Sequence, residues 1–156
     1  MDLDSFVEDY LAKLLIRKQR VGFDQINSLI SQGRRELDDC KKILEISPKT
    51  AFTCAYNSML YAARAFMMLR GFRPMGNNQH KTVVEFIGIC LGRDYKTLIE
   101  KFNNMRVKRN LVMYEPWKVN ISKTDTQNAI NAAEDFVGLI ITMVKKNDPQ
   151  HEFRFK

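Results

Sequence analysis

Pro48-Lys49-Thr50-Ala51-Phe52-Thr53-Cys54-Ala55-Tyr56-Asn57-Ser58-Met59-Leu60-Tyr61-Ala62-Ala63-Arg64-Ala65-Phe66-Met67-Met68-Leu69-Arg70 decides the fold. Phe52, Ala55, Met59, Ala63, Phe66 and Met67 recur at helical spacing and make one apolar face. The opposite face, Asn57, Tyr61, Arg64 and Met68, is only half polar. A helix that is apolar on most sides is buried on most sides. In a chain this short it is either the central helix of a bundle or a helix shared with a second copy. Ala51, Ala55, Ala62, Ala63 and Ala65 let neighbouring helices approach closely.

Outward from this segment the pattern stays helical, and no strand alternation stands out. Upstream, Ile26, Ile30, Gly33, Leu37, Cys40 and Leu44 repeat at three and four residues, a bundle seam on a helix from about Asp24 to Ile46. Gly33 in that seam costs about 1 kcal/mol relative to alanine, which a close helix crossing explains. Ser47-Pro48 ends this helix and starts the next, since serine caps and proline suits the first turn. A first helix, about Leu3 to Ile16, leads into the basic run Arg17-Lys18-Gln19-Arg20, read as a solvated face. Downstream, residues 71–78 form a loop rich in glycine, proline and asparagine. A short helix from about Gln79 to Leu91 ends at Gly92, and another runs from about Asp94 to Tyr114. The last, about Asp125 to Lys146, starts at a Thr124/Gln127 capping box. The expected architecture is all-α: an antiparallel up-and-down bundle of four to five main helices plus an N-terminal helix. Residues 1–22 form a helical extension, 23–147 the bundle and 148–156 a fraying tail.

At 156 residues, 45% apolar and 28% charged, the chain has the composition of one globular domain. Its formal charge of +7 favours acidic partners such as nucleic acid. Cys40, Cys54 and Cys90 form no Cys-x-x-Cys pair, and with only His80 and His151 beside them they read as free thiols. No metal or cofactor is expected. Acidic residues at 2, 4, 8 and 9 argue against a signal peptide, and Phe136 to Val144 is less than half a membrane span. A cytoplasmic protein without a membrane partner is the expectation.

Met105-Arg106-Val107-Lys108-Arg109-Asn110-Leu111-Val112-Met113-Tyr114-Glu115 carries the candidate chemistry. It reads as the last turns of a helix stopped by Pro116. At 100° per residue, Ile99, Phe102, Arg106, Asn110 and Met113 fall within roughly 80° of one another. An arginine and an asparagine thus stand in line with an apolar stripe. Left buried and unpaired, such groups cost on the order of 1–3 kcal/mol each, more for a charge. They need partners within the fold, such as Glu36, Asp38 or Glu134, or a wet cleft in which something binds.

The ordered set of motifs resembles the HEPN family, named for its occurrence in higher eukaryotes and prokaryotes. Ala51-x-x-x-Ala55-Tyr56-x-x-Met59-x-x-Ala62-Ala63-Arg64-Ala65 is similar to the family's second core helix. Next come the Gly71 loop, His80-Lys81, and a helix ending Arg106-x-x-Arg109-Asn110-x-x-x-Tyr114-Glu115. The likeness is greatest to small stand-alone prokaryotic members and covers about residues 24 to 145. It implies a four- to five-helix bundle that forms a homodimer. In active members an arginine, followed four to six residues later by histidine, meets its counterpart across the dimer cleft and makes a metal-independent ribonuclease site. Many members are toxins, or partners of a nucleotidyltransferase encoded beside them. Others bind without catalysis.

This chain departs at the histidine. Counted from Arg109 its place falls to Tyr114, and counted from Arg106 a spacing of six reaches Met113. Imidazole exchanges a proton near pH 6.5, whereas tyrosine, near 10, is a weak base at neutral pH. General acid–base catalysis is typically worth 10²–10⁴-fold, so its loss leaves little activity. The expected role is therefore binding of RNA or a nucleotide in a basic inter-subunit cleft by Arg106, Arg109, Asn110, Tyr114, His80 and Lys81. Within that role the chain is one half of a toxin–antitoxin or defence pair, with a cognate nucleotidyltransferase or antitoxin. The competing class is an endoribonuclease using Arg106, Arg109, Asn110 and Tyr114 as catalytic residues. A third is a protein-interaction module with no nucleic-acid ligand. Tyr114 is expected to pack with its hydroxyl at the cleft edge, and Trp117 to anchor its loop on the bundle.

Overall fold

The computed structural model describes residues 1–147; the tail 148–156, with His151, lies outside the described residues. The chain forms an all-α bundle. Its helices are α1 (Leu3–Ala12), α2 (Phe23–Ile43), α3 (Pro48–Leu69), α4 (Gln79–Leu91), α5 (Lys96–Tyr114) and α6 (Lys123–Asn147).

Helix α3 is the central helix. Twelve of its residues are buried, from Ala51 to Met67, and it packs along α2 and α6 while also touching α4 and α5. Small side chains make the closest crossing: a Cβ at Gly33 of α2 would lie 3.1 Å from the Ser58 carbonyl oxygen of α3. The seam glycine is thus explained by contact with backbone. Ser47 caps α3, its hydroxyl accepting from the Thr50 N–H, and Pro48 occupies the first turn. Thr126 of α6 donates its hydroxyl to the Pro48 carbonyl at 2.8 Å, tying the start of α6 to the start of α3. The core is continuous from Phe6 of α1 through Met59 and Phe66 to Phe136 and Ile140 of α6.

Four local expectations are corrected. The chain contains a short antiparallel ribbon, β1 (Ile16–Lys18) with β2 (Phe72–Pro74), where only helix and loop were expected. Helix α1 consequently stops at Ala12, and Leu14 takes a φ of 57° to turn the chain into β1. Ile16 is buried beneath the ribbon while Arg17, Lys18 and Arg20 remain exposed. Helix α2 ends at Ile43 rather than Ile46. The capping box of α6 is Ser122/Asp125: the Ser122 hydroxyl accepts from the Asp125 N–H, and the Asp125 carboxylate accepts from the Ser122 N–H. Serine and aspartate two residues earlier outcompete Thr124/Gln127.

Candidate functional site: a basic cleft between the start of α4 and the end of α5

Helix α5 buries only Phe102 and Met105, both in its first half and middle. Beyond them no neighbour among the described residues covers the helix fully, so Arg106, Arg109 and Asn110 are half-buried at the bundle edge rather than interior. Facing them, Gly76 at φ +78° turns the loop after β2 toward α4, whose first residues are Gln79, His80 and Lys81. Together they enclose a cleft of about 380 Å³. All six residues singled out from the sequence, His80, Lys81, Arg106, Arg109, Asn110 and Tyr114, line it, with Gly76–Gln79 completing the wall.

The charge in this cleft is one-sided. Among the described residues no carboxylate lines it. Neither arginine has an ion pair among the described residues; Glu134 is taken by Lys41 at 2.6 Å. Lys81 stands 3.9 Å from Glu85 one turn along α4, an exposed pair of small energetic weight. Arg106 Nε donates to Asn103 Oδ1 at 3.0 Å, and Arg109 Nη1 donates to Asn110 Oδ1 at 3.3 Å. Arg109 Nε is buried with no hydrogen-bond partner among the described residues. The intramolecular alternative, carboxylates neutralising both arginines, is therefore not what the fold provides.

Tyr56, placed only in a helix by sequence reasoning, does not line the cleft but touches two residues that do, Arg109 and His80. It is fully buried on α3, with the Arg109 guanidinium 6.0 Å from its ring centre and its hydroxyl 3.0 Å from His80 Nδ1. Burial pushes the Tyr56 hydroxyl up to about 12, against the pull of Arg109 and Arg106. It stays protonated and is suited to donate to His80 Nδ1. Burial, then Arg109, Arg64 and Arg106, hold the His80 imidazole below its ordinary pKa, so the ring is neutral at pH 7. His80 is thus a held, half-buried part of the site rather than loop surface. The signal for Tyr56 was its position in an alanine-rich buried helix, since a buried tyrosine usually finds a partner for its hydroxyl.

Two aromatic expectations are corrected. Tyr114 lines the cleft, but 71% of it is exposed, so it is not packed with only its hydroxyl at the edge. Trp117 is 76% exposed in the turn after α5 and does not anchor the loop. Met113, expected on the apolar stripe, is exposed as well. The thiols offer no rival centre: burial raises Cys40 to about 12 and Cys54 and Cys90 to about 11. Among the described residues no three His, Cys, Asp or Glu side chains are grouped to hold a metal ion, and no helix is long and apolar enough to cross a membrane.

Chemically, the cleft presents two guanidiniums, an ammonium, side-chain amides and a neutral imidazole. Guanidinium forks match phosphate and carboxylate oxygens in pairs. A scan of known family models finds no match to this sequence, and a search of curated proteins finds no relative.

Proposed function

We propose that this chain is a HEPN-like protein, active as a homodimer, that holds the phosphates of RNA or a nucleotide in the cleft between α4 and α5. One observation carries the reading: among the described residues, Arg106, Arg109 and Lys81 share a cavity that no carboxylate lines, with Arg109 Nε left without a partner. Arg106 and Arg109 are half-buried without an ion pair among the described residues, so they repel one another, and an anion relieves that repulsion; Lys81, exposed and facing Glu85 at 3.9 Å, adds charge at the rim. The net charge of +7 draws a polyanion in the same direction. Order of motifs along the chain supports the HEPN likeness, which in turn supports the dimer and a place in a toxin–antitoxin or defence pair, opposite a nucleotidyltransferase or antitoxin. In this reading the protein works in the cytoplasm.

A second reading, metal-independent endoribonuclease, is favoured by His80, which brings a neutral imidazole into the cleft that lacks the family histidine on α5.

Incubation with end-labelled single-stranded RNA separates the two. Binding that is lost in Arg109→Ala, with the RNA intact, supports the binding protein. Cleavage that disappears in both Arg109→Ala and His80→Gln supports the nuclease. Binding and RNA integrity unaffected by Arg109→Ala contradict both. A monomeric mass in solution contradicts the dimer.

A further inference from the structure

At the end of α5, where Tyr114 lines the cleft with the cations, two large aromatic rings are exposed among the described residues. Tyr114 ends α5 and lines the cleft; Trp117 follows in the turn Pro116–Lys118. They are 71% and 76% exposed, and Trp117 is the single tryptophan of the chain. They are three positions apart in the chain, so their Cα atoms lie within about 11 Å. Exposing rings of this size to water gains the fold nothing. The nearby carboxylate, Glu115, is paired with Lys118 at 2.7 Å, so it does not oppose an anionic ligand as a free charge.

We propose that Tyr114 and Trp117 form a stacking subsite for unpaired nucleobases of the ligand whose phosphates lie on Arg106, Arg109 and Lys81. The subsite rests on the phosphate reading of the cleft and extends it from an anion to a nucleotide unit. Cationic grooves with exposed aromatics alongside bind single strands because every base has a π-face, and stacking tolerates any sequence. A duplex keeps its bases inside and offers neither ring a face. The shared chemistry, phosphate joined to an unpaired base, comes either from a mononucleotide or from a single strand. Two exposed rings, one lining the cleft and one in the turn beyond it, offer faces to more than one base, which favours the strand.

Trp117 is its own reporter. Fluorescence of the parent is titrated with a single-stranded oligoadenylate, with AMP, with a blunt RNA duplex and with inorganic phosphate. The expected result is quenching by the oligonucleotide, weaker quenching by AMP at higher concentration, and none by phosphate or duplex. Labelled-oligonucleotide anisotropy then reads Trp117→Ala and Tyr114→Ala, each expected to weaken binding about 5- to 150-fold, the range for one stacked base. Trp117→Phe is expected to recover most of that loss. Both positions are exposed, so the variants keep the fold. Oligonucleotide affinity equal to the parent in both alanine variants, while Arg109→Ala loses it, overturns the stacking subsite and leaves the phosphate cleft standing. Affinity unchanged in Arg109→Ala as well overturns the cleft itself. Trp117→Ala that lowers the molar mass in solution without changing oligonucleotide affinity also overturns the subsite and assigns the rings to an interface between copies.

Discussion

The Tyr56 hydroxyl and His80 Nδ1 meet at 3.0 Å, joining the buried centre of α3 to the first turn of α4. Through this contact the most buried helix of the bundle sets the position of a half-buried imidazole in the cleft.

Tyr56→Phe keeps the ring and removes the hydroxyl, so the cavity term is small. One buried hydrogen bond is lost and His80 Nδ1 is left unpaired, at an expected cost of about 1 kcal/mol. Urea denaturation of the two proteins measures it. A variant as stable as the parent would mean the contact contributes nothing to the fold.

His80 makes stability depend on pH with a definite sign. Burial and the neighbouring arginines lower its pKa in the fold, so the unfolded chain binds its proton more readily. Stability contributed at this position is fully present above about pH 6.5 and is lost as pH falls below it toward the folded pKa. Denaturation from pH 5 to 8 is expected to show a decline on the acid side that is smaller in His80→Gln. A bound phosphate opposes the lowering, so anion affinity is expected to rise as pH falls through the same window.

Arg109→Met removes a half-buried charge that has no carboxylate partner and keeps the apolar stem. Stability is expected to stay level or rise, because repulsion with Arg106 is relieved, while affinity for RNA falls at least tenfold. Thermal denaturation and anisotropy on the same samples check both halves. A structural arginine would give the reverse: lost stability with binding kept.

Two glycines test the packing. At Gly33 an added Cβ would press on the Ser58 carbonyl oxygen at 3.1 Å, and that backbone cannot rotate away. Gly33→Ala is expected to lose about 1 kcal/mol or more despite the gain in helix propensity. At Gly138 of α6 nothing lies within 4 Å, so Gly138→Ala is expected to gain up to about 1 kcal/mol. Chemical denaturation of the pair measures both signs.

Much of the bundle was legible because its signals are local. The apolar surround of α3, Pro48 after Ser47, Gly33 in a seam and Gly92 after Leu91 each speak through their neighbours in sequence. The ribbon was not, since three residues per strand are too few for alternation, and Ile16 meets Pro74 from a distant part of the sequence. For the site, periodicity placed Arg106 and Asn110 on one face but could not tell what covers that face. Past Met105 little does, which is why Met113, Tyr114 and Trp117 are exposed. Tyr56 and His80 lie far apart in sequence, and no local pattern announces their contact.

A grip of Arg106 and Arg109 on phosphates must show in the salt dependence of RNA binding. Affinity for a single-stranded oligonucleotide is measured across salt concentrations for the parent and for Arg106→Ala/Arg109→Ala. Two lost phosphate contacts should make the slope of log K against log salt shallower by about 1.4, with affinity falling throughout. Equal slopes and equal affinities in the two proteins would contradict it.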